Sequence, residues 1–422
     1  MLGNNQSEVI PYRTLFSVFA RIGILSFGGP AAQIALLHRT LVDERRWISE
    51  AEFLSALSFC MLLPGPEAMQ LATWTGWRLK GTGGGLIAGL LFVLPGALVV
   101  LALAALYAAF GQVPVVAALF TGVQAAVVAV VIEALLRLSR RALKSSAHKL
   151  AAAFAFVALA VFGLPFPAVI MAAGVYGYLT TQGTAPAPSG PRPWAETWRA
   201  LAIWGTVWVL PLAAIVLLAP GFYAEVAVFF SKLAVVTFGG AYAVLAWMTQ
   251  AIVADKQWLT LPQMMDALGL AETTPGPLIL VTEFVAYVAG YQKDGWLGGL
   301  SAALITLWMT FAPCFLWIFA ASPWLDRLTQ MPRLSGALSF ITAAVVGVIA
   351  NLSLWFAAHV VFAQVGRIDL GPIHALWPQL ASLRPLPTLI ALSAAYLLLR
   401  RHWSLPLVLA LAALTSAIAA WV

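Results

Sequence analysis

Apolar stretches long enough to cross a bilayer recur along the chain, at residues 86–110, 113–136 and 334–362. A spanning helix needs about 20 consecutive apolar residues. Inside lipid every backbone N–H and C=O must bond within the protein, so only helices and closed barrels can span. These runs are continuous and lack a two-residue alternation, which selects helices over barrel strands. Composition agrees: 62% of the 422 residues are hydrophobic and only 9% are charged, against roughly 25% charged in soluble domains. The expected class is an all-α polytopic membrane protein. No cleavable signal peptide is expected, because the polar residues 3–8 lead straight into the apolar segment 14–27. Cys60 and Cys314 lie within apolar segments, so neither a disulfide framework nor a Cys-rich metal site is expected. The net charge of +7 is assigned to positive cytoplasmic loops and not to a nucleic-acid partner.

The chain also repeats itself at a shift of 211 residues. Phe19, Arg21, Phe27-Gly28-Gly29, Trp47 and Pro64-Gly65-Pro66 meet Phe230, Lys232, Phe238-Gly239-Gly240, Trp258 and Pro275-Gly276-Pro277. After small insertions Gly76, Gly81, Gly84 and Gly85 meet Gly290, Gly295, Gly298 and Gly299. Pro95 then meets Pro313, and Glu133 meets Asn351. The expected division is an N-terminal repeat over 1–180, a linker over 181–199 and a C-terminal repeat over 200–422; residues 181–193 are rich in Pro, Gly and Thr. The loop 137–149 holds five Lys/Arg and its counterpart 355–367 holds one. The loop around Gln112 holds none and its counterpart 326–333 holds two. Positive loops face the cytoplasm, so the halves are expected in opposite orientations; the alternative is a duplication with parallel halves.

Two short helices stand out. Ser49-Glu50-Ala51-Glu52 and Thr260-Leu261-Pro262-Gln263 are capping boxes, with Ile48/Phe53 and Leu259/Met264 as hydrophobic staples. Helices are expected from near Glu50 to Leu63 and from near Leu261 to Thr274, each stopping before a proline. Each is about 14 residues, roughly 21 Å, and a hydrocarbon core is about 30 Å thick. Pro66 and Pro277 suit the first turn of a following helix. Broken, re-entrant helices are thus expected at the Phe-Gly-Gly and Pro-Gly-Pro motifs. Such breaks are tolerated at membrane depth only within protein or beside a water-filled cavity. Helix N-termini at Pro30, at Pro66 and near Gly240 would offer free N–H groups to an anion. Gly28, Gly29, Gly65, Gly239, Gly240 and Gly276 would let it approach the backbone. Discontinuous helices that meet at mid-membrane are a transporter architecture.

Side chains around these breaks complete the candidate substrate set: Arg21, Gly28, Gly29, Gln33, Pro64, Gly65, Pro66, Glu67, Lys232, Gly239, Gly240, Glu272, Thr273, Thr274, Pro275, Gly276 and Pro277. Arg21 and Lys232 occupy matching places within apolar segments, as functional buried cations or as side chains snorkelling to a headgroup. Glu67 either complements a helix dipole or titrates and gates the site. Glu272 is a carboxylate in a short intramembrane helix and needs a partner. Thr273 and Thr274 either donate to an oxyanion or bond to carbonyls one turn back. Gln33 and Gln70 are donors or interhelical glue. Glu133, opposite Asn351 in the repeat, is a core pair or a coupling site. Asp266 and Glu283 lie in apolar surroundings without a symmetric mate, and His359 reads as a packing residue. Trp47 and Trp258 read as anchors ahead of the short helices. No Walker, HExxH, Gly-x-Ser-x-Gly or CxxC motif occurs, so no enzyme activity, metal or cofactor is expected.

The motifs resemble those of the chromate transporter family. Ser26-Phe27-Gly28-Gly29-Pro30-Ala31-Ala32-Gln33-Ile34, Arg45-Arg46-Trp47-Ile48 and Cys60-Met61-Leu62-Leu63-Pro64-Gly65-Pro66-Glu67-Ala68 are similar to its first-half signatures. Thr237-Phe238-Gly239-Gly240-Ala241-Tyr242-Ala243-Val244-Leu245 resembles a second-half signature of the long, two-domain members. So does Gly269-Leu270-Ala271-Glu272-Thr273-Thr274-Pro275-Gly276-Pro277-Leu278. The resemblance implies a secondary transporter that exports chromate from the cytoplasm across the bacterial inner membrane, giving chromate resistance. Sulfate is a close analogue that competes or is carried, so a sulfate carrier or an anion channel stays open as an alternative. The protein would be a monomer or homodimer in the lipid bilayer. Met69 and Glu283 stand where relatives often carry Gln, so the polar lining differs at two places.

Overall fold

The computed structural model describes residues 10–27, 29–111, 113–183, 193–238, 241–371 and 373–421. The first helix, α1 (Tyr12–Leu25), ends at Ser26, and α2 (Gly29–His38) starts at Gly29, whose φ of +75° suits glycine. After a π-helical turn, Arg39–Glu44, the chain reverses at Arg46, φ +52°. The capping box then forms as expected: the Ser49 N–H reaches Glu52 at 3.1 Å, and the Glu52 N–H reaches the Ser49 hydroxyl at 3.3 Å. It starts α3 (Glu50–Cys60), which is followed by the Pro-Gly-Pro loop and α4 (Glu67–Phe110).

α4 is not one rod. Its backbone leaves helical geometry at Lys80 and Gly81, φ +62°. A Cβ on Gly76 would overlap the Gly84 carbonyl and lie 2.6 Å from the Ala88 Cβ. In a straight helix residues eight apart are about 12 Å apart. α4 is therefore a helical hairpin, with a short arm before Gly81 and a long arm after it. α5 (Pro114–Ala142), α6 (Ser146–Ala160) and α7 (Phe166–Thr180) complete this half.

The segment 184–192 lies outside the described residues. The expected linker 181–199 is corrected at its end, because α8 (Trp194–Leu218) already begins within it. The sequence of devices then recurs. α9 (Phe222–Val236) and α10 (Ala241–Gln250) lead to a π-helical turn, Ala251–Asp255, and a reversal at Gln257, φ +53°. Thr260 and Gln263 form the second capping box, at the start of α11 (Leu261–Thr273). A 3-10 turn, Leu278–Leu280, precedes α12 (Val281–Ala321), which reverses at Asp294 and Gly295, φ +66°. α13 (Leu325–Thr329) and α14 (Pro332–Val361) follow. A two-stranded antiparallel hairpin, β1 (Val365–Leu370) with β2 (Ile373–Pro378), interrupts the helices. α15 (Pro385–Leu399) and α16 (Leu405–Ala419) end the chain's regular structure.

Three local expectations are corrected. The short helices have 11 and 13 residues, below the 14 expected. Pro66 caps α4 from outside, so Glu67 is its first residue. Pro277 opens a 3-10 turn and not an α-helix.

The halves interpenetrate. α4 and α12 pack together at the centre, where a side chain on Gly85 or Gly89 would strike Phe319 or Phe315. α5 lies against α15 and α16, with Gly122 on the Ala412 carbonyl. α14 lies against α6 and α7, with Gly347 on the Ala152 carbonyl and Gly177 on the Gly336 carbonyl. The last helices of each half thus pack on the other half. Small residues let these backbones approach, as membrane helices require. Large apolar side chains such as Leu98, Leu179 and Leu218 lie exposed on the surface, a surface that suits lipid. Among the described residues, five helical segments are long and apolar enough to cross a membrane: α4, α5, α8, residues 278–324 and α14. The molecule is an all-α polytopic membrane protein.

Candidate substrate site

The two Pro-Gly-Pro loops are buried side by side with the breaks after α1 and α9. The Gly65 N–H donates to the Thr237 carbonyl at 2.8 Å, and the Gly276 N–H donates to the Ser26 carbonyl at 2.8 Å. The two bonds are the same bond at a shift of 211, since 26 + 211 = 237 and 65 + 211 = 276. Each loop is therefore held by the residue that precedes Phe-Gly-Gly in the other half.

Each loop is also packed from the other half. A Cβ on Gly65 would lie 2.9 Å from the Cys314 sulfur, and one on Gly276 would lie 3.3 Å from the Gly96 Cα. Gly96 and Cys314 follow Pro95 and Pro313, the prolines inside α4 and α12. The glycines are required here twice over, by contact and by φ values of +126° at Gly65 and +86° at Gly276.

Uncharged polar groups surround this crossing. Gln33 is buried, and its Nε2 donates to the Gly276 carbonyl at 2.6 Å and to the Ser26 carbonyl at 3.3 Å. Gln70 donates to the Pro64 carbonyl at 2.7 Å, while its Oε1 has no partner among the described residues. The Ser26 hydroxyl is buried and equally unpartnered. The half-buried Glu67 turns its carboxylate back onto its own N–H. In front of Gly29, at the N-terminus of α2, a side chain would meet nothing within 4 Å. The N-termini of α2 and α4 and the Ser26 hydroxyl thus border these loops, with no buried lysine or arginine among the described residues. Such neutral donors fit an oxyanion.

The structure redistributes the expected set. Gln33, Pro64, Gly65, Pro66, Pro275, Gly276 and Pro277 come together at the crossing. Arg21 and Lys232 do not: both are exposed on the outer faces of α1 and α9, so neither is a buried cation. Arg21 instead shares an open cavity of about 180 Å³ with Ser17, Arg39, Thr40, Glu44 and Arg45. Thr273 and Thr274 give their hydroxyls to the Leu270 and Ala271 carbonyls at 2.8 and 3.1 Å. The Gly65 and Gly276 N–H groups, at two of the glycines expected to let an anion approach the backbone, are spent on the crossing. Gly28, Gly239, Gly240 and the Glu272 side chain lie outside the described residues.

Ser26, Thr237 and Cys314 were missed as parts of the site. Their signal was positional only, two of them directly before Phe-Gly-Gly and the third directly after a helix proline. Three other polar side chains singled out in the sequence have partners elsewhere. Glu133 pairs with Arg137 one turn on. Asp266 accepts from the Tyr107 hydroxyl and from Gln124, both at 2.7 Å, and so ties α11 to α4 and α5. His359 bonds the Trp355 carbonyl at 2.8 Å and lines a separate cavity of about 270 Å³ with Thr249, Gln250 and Asn351.

Comparison with known proteins follows the same division of the chain. The chromate transporter family matches residues 13–178 and 224–417, leaving out α8. A chromate transport protein of Pseudomonas aeruginosa is 34% identical over 361 residues, covering 82% of each chain. A chromate transport protein of Cupriavidus metallidurans is 28% identical over 410 residues, 96% of this chain and 93% of the relative. A probable chromate transport protein of Synechococcus elongatus is 30% identical over 80% of this chain and 83% of its own length. No solved structure matches the chain.

Proposed function

The chain belongs to the chromate transporter family, and from that premise we propose that it is a secondary carrier exporting chromate through the crossed Pro-Gly-Pro loops. The reciprocal pair of bonds, Gly65 to Thr237 and Gly276 to Ser26, carries this reading. It supports a reading of two equivalent halves around one centre, and the loop charges favour opposite orientations for them. A carrier needs such a centre, reached alternately from each side by movement of one half against the other. The Arg21, Arg39 and Arg45 cavity gathers the dianion from the cytoplasmic side. An inside-negative potential then favours exit by about 2.3 kcal/mol per charge per 100 mV, twice over for a dianion. Export across the bacterial inner membrane in this way would confer chromate resistance. Sulfate has the same shape and charge and is expected to compete. The two halves complete one pathway, so a monomer suffices.

The test is chromate flux in proteoliposomes under an imposed potential, with sulfate and molybdate as competitors. Wild type is expected to give saturable flux. Arg21→Ala is expected to raise the half-saturating concentration by roughly tenfold at low salt, and less at high salt, because it acts by steering. Lys232→Ala serves as the matched change on the opposite half. Sulfate flux without chromate flux would replace the substrate, and flux that never saturates would replace the carrier with a channel.

A further inference from the structure

Six of the eight buried threonines among the described residues bond to a carbonyl close by in the chain. Thr73, Thr75, Thr237, Thr249, Thr274 and Thr282 each give their hydroxyl to a carbonyl three or four residues back. The remaining buried threonines, Thr306 and Thr310, do not, and neither hydroxyl has a partner among the described residues. Glu283 is in the same condition: it is 0% exposed, and both carboxylate oxygens are unpartnered.

These three side chains belong to one hairpin face. Within α12, Gly290 packs on Gly298 and Ala302, and Tyr287 packs on Gly299. Carried one turn further from the reversal, the same antiparallel register sets Glu283 opposite Thr306, with Thr310 one turn beyond. The matched glycines Gly76 and Gly290 differ by 214, which equates Glu283 with Met69, while Pro95 and Pro313 differ by 218, so that Phe92 meets Thr306 by the first shift and Thr310 by the second. Met69 and Phe92 are apolar and fully buried. The hairpin of one half is thus closed by apolar packing, and that of the other by a carboxyl and two hydroxyls.

No charge on the elements packed against α12 answers Glu283 among the described side chains. On α4, Glu67 folds onto its own N–H, Arg78 pairs with Glu52, and Lys80 lies over the Tyr12 ring. On α8, Glu196 and Arg199 are exposed. On α9, Lys232 is exposed, Glu225 pairs with Lys256 and Tyr223 bonds Asp294. On α11, Asp266 is held by Tyr107 and Gln124. A carboxylate buried without a counter-charge is kept neutral by a proton.

We propose that Glu283, backed by Thr306 and Thr310, is a proton-binding site linked to oxyanion occupancy of the Pro-Gly-Pro centre. This rests on the transport reading above. Glu283 lies in the first turn of α12, one 3-10 turn after the second loop. A dianion at the loops and an ionised Glu283 repel each other through low-dielectric protein. Anion binding therefore favours the protonated carboxyl, whose proton comes from the aqueous side to which the centre is open. Only an O–H bond forms, and it breaks again when the anion leaves. By reciprocity the proton raises anion affinity by the same factor. The two hydroxyls serve the ionised state, in which they turn to donate to the carboxylate.

The test is isothermal titration of the purified full chain with chromate across the alkaline range, where chromate is wholly dianionic, in two buffers of different ionisation enthalpy. Wild type is expected to take up a proton with each chromate and to lose affinity as pH rises, by at most about tenfold per pH unit. Glu283→Gln is expected to take up none and to bind with an affinity that does not change with pH. Thr306→Val with Thr310→Val is expected to move the midpoint of the pH dependence upward. It also supplies the reading should Glu283→Gln fail to fold. Undiminished proton uptake in Glu283→Gln, or an unmoved midpoint in the double threonine variant, overturns this site alone. Affinity that follows sodium and not pH overturns the proton in favour of an alkali cation. Absence of chromate binding in every form overturns the transport reading, and this site with it.

Discussion

Gly65→Val is expected to abolish transport and to destabilise the protein by about 2–6 kcal/mol. Two costs combine. At φ +126° a side chain is strained by about 1–3 kcal/mol. Its Cβ would also sit 2.7 Å from the Gln70 amide nitrogen and 2.9 Å from the Cys314 sulfur, and overpacking of this kind costs about 1–3 kcal/mol. Gly276→Val is expected to behave alike. Its φ is +86°, and its Cβ would lie 2.9 Å from Leu280 Cδ1 and 3.3 Å from the Gly96 Cα. Gly29→Ala supplies the contrast, since its φ is +75° but a Cβ there meets nothing within 4 Å. It should lose only the strain of roughly 1 kcal/mol and remain folded. Thermal unfolding in detergent, read beside flux, separates the three. Wild-type stability and flux in Gly65→Val would mean that the loops are not locked across the halves.

Gln33→Leu is expected to slow flux by about 10- to 100-fold, the equivalent of 1.4–2.7 kcal/mol. The Gln33 amide joins the Gly276 carbonyl of one half to the Ser26 carbonyl of the other. Leucine keeps the volume and leaves the Gly276 carbonyl without its donor, which costs about 1–3 kcal/mol in a buried site. Gln33→Glu separates hydrogen bonding from packing. An ionised carboxylate in the same space faces two carbonyl oxygens and is expected to do worse than leucine. The repeat makes this bridge only once, because the matching residue, 33 + 211 = 244, is the buried Val244. Loss of flux at Gln33 would therefore not be masked by a second copy.

Local signals in the sequence were good guides, and long-range ones were not. Both capping boxes form at the residues expected, because Ser49/Glu52 and Thr260/Gln263 carry the whole device within four positions. The Pro-Gly-Pro breaks are equally local. The hairpins at Gly81 and Gly295 were harder to foresee, since apolar sequence continues through each reversal and mimics one long helix. Gly76, Gly84 and Gly85 recorded the close approach of the two arms, but nothing in their spacing says that the helix turns back. The crossing of the halves is three-dimensional and leaves no motif of its own. Arg21 was legible in a way that apolar surroundings obscured. Leu15, Val18, Phe19 and Ile22 form the buried stripe of α1, and Arg21 stands on its flank. Val226, Phe229, Phe230 and Leu233 repeat that stripe in α9, with Lys232 on the same flank. Average hydropathy says that such a cation lies in a membrane segment; only the helical phase says which way it faces.

Labelling of Cys314 tests the central claim most directly. Its sulfur borders Gly65, and Cys60 is the one other cysteine in the chain. In a Cys60→Ser background, the rate at which a small methanethiosulfonate modifies Cys314 during transport would be measured in vesicles. The added anion would be sulfate or molybdate, whichever inhibits chromate flux, since neither oxidises a thiol. If the substrate passes between the crossed loops, the anion slows labelling, and half the effect appears at the concentration that half-inhibits flux. Labelling that proceeds at the same rate under saturating anion would contradict the account and place the substrate's path elsewhere in the protein.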